Sequence, residues 1–317
     1  MASKKFTLLA ILIMTAGAAF AQLGGTLDYQ DSSKIKSRDL PRYNEWKNNS
    51  KANVFPPKPR NMGQFSIYGG YFGILGDVPS TPGWNVGASY RKALGYVFSL
   101  RGGIGYGVTG GLDYRQNGNL GNNPVLDVYR VPAVGFPPSV GPGWYVHSYE
   151  TQMWTPSLDL IINFNNIMFH KSKSRFALYG LIGYSPIVYR TKLDALRGNN
   201  PYGFAGLPRD YFSRPRKDIR KDLKDNFFDG SYETFALPND RSPNFDNADL
   251  DAWQIRHSIN FGFGTECRIG RRTSLGVEAK WVRTGDDYID GWFLNNGGYT
   301  ADKDNLVFAN FFFNINL

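Results

Sequence analysis

From Gln64 onward the chain alternates apolar and polar residues in short stretches, the mark of strands whose two faces meet different surroundings. In QFSIYGGYFGIL, Phe65, Ile67, Tyr71 and Leu75 share one parity, against Gln64, Ser66 and Tyr68. In GWNVGASYR, Trp84, Val86, Ala88 and Tyr90 oppose Asn85, Ser89 and Arg91; in YVFSLRGGIGYGV, Phe98, Leu100, Ile104, Tyr106 and Val108 oppose Ser99 and Arg101. MWTPSLDLIINFN, RFALYGLIGYSPIVY, WQIRHSINFGFGTECR and TSLGVEAKWV repeat the pattern, and Pro186 in the second of these fits a rim or bulge better than a central ladder. The last stretch, NLVFANFFFNINL, sets Phe311, Phe313 and Ile315 against Asn310, Asn314 and Asn316.

These segments predict eight strands, and the connections between them alternate in length. They are moderate near 76–82, short near 92–95, long at 109–151, short around 166–174, very long at 191–252, short at 269–272 and moderate at 285–303. Outer-membrane barrels have an even strand number, short periplasmic turns and longer outer loops. The expected fold is therefore all-β: an eight-stranded antiparallel transmembrane β-barrel, an up-and-down meander over 63–317 with long extracellular loops and both termini periplasmic. Phe311, Phe313 and Ile315 then face lipid, and the three asparagines face the interior. A soluble barrel would reverse the faces, and periodicity alone does not choose between the two. Trp84, Trp154, Trp253, Trp281, Tyr90 and Tyr189 fall near predicted strand ends, where amphipathic rings suit the membrane interfaces.

The first residues favour the membrane version. MASKKFTLLAILIMTAGAAFAQ has a basic start at Lys4 and Lys5, an apolar run and Ala19-Phe20-Ala21 before Gln22, which predicts a secretory signal peptide at 1–21. Residues 22–62 are polar, basic and rich in turn formers, and read as a periplasmic N-terminal leader. No internal stretch reaches the roughly 20 apolar residues of a spanning helix, yet 23 Phe, 19 Tyr, 7 Trp and 36 Gly suit a membrane barrel. The formal charge of +9 falls to +7 without Lys4 and Lys5. No zinc-finger, recognition-helix or aromatic-basic RNA motif accompanies it, so no nucleic-acid role is expected. The single cysteine, Cys267, excludes an intrachain disulfide.

The interior set includes Arg101, Asp159, Arg256, Glu266, Glu278 and Lys280. Paired across a narrow lumen they would form a polar plug; separated around water they would line a gate or narrow ion path. Catalytic, cofactor-binding and metal sites are not expected. His147, His170 and His257 lack metal-ligand spacing, no nucleophile elbow or Walker loop is present, and GGIGYG sits within a strand. In SRPRKDIRKDLKDNFF, Ile219, Leu223 and Phe227 recur every four residues beside a basic stripe of Arg216, Arg220 and Lys224, predicting a short amphipathic helix with Ser213 as its cap. Its apolar stripe would pack over the barrel mouth or meet a partner.

FSIYGGYFGILGDV, WNVGASYRKALGYVFSLRGGIGYG, SLGVEAKWV and NLVFANFFFNINL, together with the signal sequence, resemble the N-terminal transmembrane β-barrel domain of OmpA-like outer-membrane proteins of Bacteroidetes-type bacteria. The resemblance covers roughly 63–317 and implies an eight-stranded barrel, a structural envelope role and commonly a following domain that grips peptidoglycan. Peptidoglycan association is accordingly expected only if a further C-terminal domain exists. The leading expectation is a non-enzymatic structural or interaction barrel of the outer membrane without an open pore. The alternatives are a small porin or transport channel, or an accessory barrel of a secretion or gliding complex. Expected partners are outer-membrane lipid and lipopolysaccharide, and a protein engaged through loops 109–151 and 191–252.

Overall fold

The structure, a computed structural model, describes residues 37–48, 63–95, 97–118, 126, 129, 143–166, 176–198, 200–208, 210–232, 234–236, 253–270, 272–292 and 303–317. The expected signal peptide at 1–21 lies outside the described residues. Of the leader at 22–62, a turn at Ser37–Asp39 and helix α1 (Leu40–Asn48) are described, and Tyr43 in that helix is buried.

The strands are β1 (Gly63–Leu75), β2 (Ser80–Ala93), β3 (Phe98–Leu112), β4 (Ser148–Trp154), β5 (Ser157–Asn163), β6 (Phe176–Tyr184), β7 (Ile187–Leu193), β8 (Leu196–Arg197), β9 (Asn200–Pro201), β10 (Thr234–Phe235), β11 (Gln254–Arg256), β12 (Ser258–Arg268), β13 (Thr273–Thr284) and β14 (Asn305–Asn316). Strands β8 and β9 form a separate small hairpin. The rest make one twelve-stranded, barrel-like sheet in the order β10-β7-β4-β3-β2-β1-β14-β13-β12-β6-β5, with β11 on β7 and a further pairing of β3 with β5. Every pairing is antiparallel, and β14 runs along β1 from Gln64↔Asn316 to Leu75↔Asn305.

The closed eight-stranded transmembrane barrel expected from the sequence is thereby corrected: the described strands form one larger sheet of twelve, not a closed ring of eight. Three of the predicted uninterrupted strands are each two strands: Thr155 and Pro156 part β4 from β5, Ser185 and Pro186 part β6 from β7, and His257 parts β11 from β12. Proline has no N–H to give a ladder, so a break forms where Pro156 and Pro186 fall. The breaks interlock. The Ser185 N–H donates to the Ser258 carbonyl at 3.0 Å, the Ser185 hydroxyl to the Pro156 carbonyl at 2.9 Å, and the Thr155 N–H to the Gly105 carbonyl at 2.8 Å.

On either side of these breaks the same parity of residue points inward, but the chemistry of the faces exchanges. In β5 the inward set includes Asp159 and Asn163 and the outward set Leu158, Leu160 and Ile162; in β4 Tyr149, Thr151 and Met153 are buried while Glu150 and Gln152 are on the other face. Strands β6 and β7 repeat the exchange, from exposed Ile182 and Tyr184 to buried Ile187, Tyr189 and Leu193. The predicted long connections are shortened accordingly, because β3 runs to Leu112, β4 begins at Ser148 and β7 reaches Leu193.

Beyond the breaks the strand ends and long connections share an apolar core that includes Phe72, Tyr149, Tyr189, Phe204, Ile219 and Leu223. Helix α2 (Arg216–Asp222), continued by a wider turn through Phe227, is pinned to it by Ile219 and Leu223, both fully buried. An apolar stripe at helical spacing has thus found a core on its own chain. Ser213 belongs to a preceding turn, and Pro215 rather than Ser213 occupies the cap position, with no side-chain cap bond.

Candidate functional site

The interior between β3, β5 and β13 gathers most of the charged residues singled out from the sequence. Arg101 and Asp159 are directly opposite on β3 and β5. The Arg101 guanidinium donates to Asp159 Oδ2 through Nε at 3.1 Å and Nη2 at 2.9 Å. On its far side it donates to Glu278 Oε2 at 2.7 Å and Oε1 at 2.8 Å. Lys280 Nζ lies 3.7 Å from Asp159 Oδ1, and the Tyr179 hydroxyl donates to Glu278 Oε2 at 2.8 Å. Arg101 supplies the planar two-sided donor that holds two buried carboxylates at once. Asp159 has room because Gly183 lies opposite it: a Cβ there would fall 2.4 Å from Asp159 Oδ1.

Glu266 forms a second cluster. It accepts from Gln64 Nε2 at 2.6 Å and from the Ser274 hydroxyl, and pairs with Arg91 at 3.4 Å, which in turn donates to Asn163 at 3.0 Å. Arg256 joins neither cluster. It lies on β11, beyond the break at His257, and donates to Asp286 Oδ2 at 2.7 Å; the buried Tyr189 hydroxyl reaches the same oxygen at 2.5 Å. Tyr189 is therefore an inward residue and not part of an interfacial belt.

Arg91, Gln64 and Tyr179 also belong to these networks, although they are not among the interior residues expected from the sequence. Arg91 and Gln64 share the polar parity of their strands, so the signal was present. Four interior rings were also missed as a group. Tyr68 stacks on Phe312 and Phe72 on Phe308, each with centroids 4.8 Å apart, while Arg101 sits 5.5 Å over the Phe312 ring. The cavity left between Tyr68, Asn85, Arg101, Glu278, Lys280 and Phe312 has a volume of about 20 Å³, space for about one water molecule.

The outward face is the inverse. Phe311, Ile67, Ile104, Leu158, Ile182 and Ile259 are all more than half exposed, Phe311 reaching 70%, whereas Asn310, Asn314 and Asn316 are buried. Trp84, Tyr106 and Trp154 adjoin one another on this face, with centroids 6.0 and 4.8 Å apart, and Tyr184 stacks on His257. Cys267 is exposed as a free thiol on β12.

At the loop end, His147 is buried: its Nε2–H donates to the Asp290 carbonyl at 2.9 Å and its Nδ1 accepts from the Tyr145 hydroxyl at 2.8 Å. Burial lowers its pKa to about 4. Asp304 Oδ2 accepts the N–H groups of Ile289 and Asp290, and Asp290 accepts those of Val78 and Trp292. Both carboxyls converge on Gly76, where a Cβ would meet Asp304 Oδ1 at 2.0 Å and Asp290 Oδ2 at 2.7 Å. Burial raises the pKa of each carboxyl, and Asp290 further raises that of Asp304. Among the described residues no group of three or more metal-ligating side chains converges.

No family model matches the chain, and no curated protein matches it. Solved structures similar to it include Neisserial surface protein A, with 7% identity over 80% of this chain and 97% of that one at a TM-score of 0.36. A major outer membrane protein from Thermus thermophilus is similar at 10% identity over 80% and 99%, TM-score 0.36. The attachment invasion locus protein Ail of Yersinia pestis, in complex with the heparin analogue sucrose octasulfate, follows at 7% identity over 81% and 99%, TM-score 0.35. Likenesses of this degree assign no function to the chain.

Proposed function

We propose that this chain is a structural or interaction protein of the bacterial outer membrane, OmpA-like in role, non-enzymatic and without an open pore. The observation that carries the reading is the inversion of its sheet: the large apolar side chains are exposed and the charged ones buried. In water such a surface is a liability for aggregation, whereas in hydrocarbon it is the stable arrangement, since every backbone group of the wall must be paired internally and apolar side chains cost nothing there. The signal sequence and the alternating connections support the same location, with both termini on the periplasmic side. The paired interior charges, stacked rings and loop core support a plugged interior over a conducting one.

Cell fractionation and planar-bilayer recording test the reading together. The expected outcome is recovery with outer membranes and no steady ohmic conductance from the folded protein. Recovery as a soluble periplasmic protein overturns the location, and a reproducible conductance whose selectivity changes in Glu278→Gln or Lys280→Met overturns the plug. The outer ends of the connections within 109–151 and 191–252 are where a protein partner would meet it, and co-purification under native conditions is the corresponding measurement.

A further inference from the structure

The outer wall carries a groove of about 720 Å³ where β1, β12, β13 and β14 approach the loop end. Leu75, Phe261 and Trp281 line it and are between 39% and 49% exposed; Arg283 and Lys303, both exposed, line it beside them, as does Asp77. Trp281 and Arg283 are two positions apart on β13 and share its outward face. That separation is about 7 Å along a strand. With a strand tilt of roughly 40° the cation stands about 5 Å above the indole. The polar layer of a bilayer leaflet begins where the hydrocarbon ends and is about 5–8 Å thick. An aromatic at that boundary with a cation one step above it therefore sets positive charge at headgroup height, over a surface that already faces acyl chains.

We infer that this groove seats the phosphate-bearing headgroup of a membrane glycolipid, with Arg283 and Lys303 on the phosphate and Leu75, Phe261 and Trp281 against the acyl chains. The inference rests on the outer-membrane reading above. A soluble anion would use the two cations and leave the apolar floor without a role; an amphiphile uses both. Arg283 offers a forked donor and Lys303 a mobile point charge, a combination suited to a phosphate monoester. Asp77 on the same wall disfavours a ligand carrying negative charge across its whole length, and so favours one with its charge confined to a single group.

The test is lipid binding by the purified chain in phosphatidylcholine nanodiscs titrated with lipid A or with lipid A whose phosphates have been removed. The wild type is expected to bind the phosphorylated form and to weaken by about tenfold or more in Arg283→Gln/Lys303→Gln. Arg283→Lys/Lys303→Arg keeps the binding, and Lys217→Gln, on the exposed side of α2, leaves it unchanged. The exchanged residues are on the surface, and far-UV circular dichroism confirms that each variant keeps its sheet. Equal binding of dephosphorylated lipid A, or equal binding by the double glutamine variant, overturns the inference. If inorganic phosphate at matched concentration displaces the lipid, the groove is a free-anion site and the lipid assignment is overturned. Failure of the wild type to enter phosphatidylcholine at all is a different result: it overturns the membrane reading on which the groove depends.

Discussion

Arg101 grips Glu278 through both terminal guanidinium nitrogens, at 2.7 and 2.8 Å, across an interior that separates strands far apart in the chain. The same guanidinium holds Asp159 on its near side, so one side chain bridges carboxylates on two walls, with Lys280, 3.7 Å from Asp159, supplying the second positive charge. Removing it leaves both carboxylates buried without their main partner, and a broken buried pair costs about 3–5 kcal/mol. Arg101→Met is expected to lose that much stability in urea unfolding from lipid vesicles, and Arg101→Lys to recover only part of it. Wild-type stability in Arg101→Met would show that the bridge across the lumen does not hold the wall together.

Phe311 is the most exposed large apolar residue of the wall and lies in the middle of β14. Phe311→Arg is expected to cost about 2–4 kcal/mol when the protein folds into bilayers, with a smaller loss for Ile315→Arg nearer the strand end. The order of the two losses is the check. A larger loss for Ile315→Arg would place the bilayer centre elsewhere on the strand.

The loop core is independently testable through Leu223, fully buried under α2. Leu223→Ala is expected to destabilise the loop region by about 2–5 kcal/mol. Limited proteolysis should then cleave within 191–252 at protease levels that leave the wild type intact, while the membrane-embedded strands stay protected. Simultaneous loss of the whole sheet would mean that loops and wall unfold as one unit.

The carboxyls of Asp290 and Asp304 give the loop end a pH dependence of defined sign. Both pKa values are raised in the folded state, so folding takes up protons and the contribution to stability falls as pH rises from about 4 through neutrality. His147, lowered to about 4, works the other way between about 4 and 6.5 and is neutral in both states above that. Hydrogen exchange of the loop amides between pH 6.5 and 9, corrected for the intrinsic rate, should therefore show protection decreasing with pH. Asp304→Asn is expected to flatten the dependence, and an unchanged slope in that variant would remove the pair as its source.

The outward face was legible from the sequence because apolar side chains keep to one parity over long runs: Phe65, Ile67, Trp84, Ile104, Leu158, Ile259 and Phe311 are all exposed on the structure. The interior charges were legible for the complementary reason. What alternation could not reveal was where a strand continues after its polarity exchanges. The stretch from Ser148 to Thr151 reads as loop if apolar means outward, yet its buried Tyr149 belongs with Met153 to a strand packed as in a water-soluble protein. Pro156 breaks the fourth predicted strand by the same rule that places Pro186 at a rim. The aromatic pairs Tyr68–Phe312 and Phe72–Phe308 were hidden because rings on a polar parity carry no hydropathy signal of their direction.

The level of Trp154, Tyr184 and His257 is where the wall changes from one set of packing rules to the other. Everything below it answers to lipid outside and to balanced charge within. Above it most of the apolar groups are buried in the loop core, with Ile255 and Trp253 left exposed. A loop assembly above that level has to satisfy only the demands of an ordinary soluble domain, so its length and surface can change without altering the packing of the wall below it.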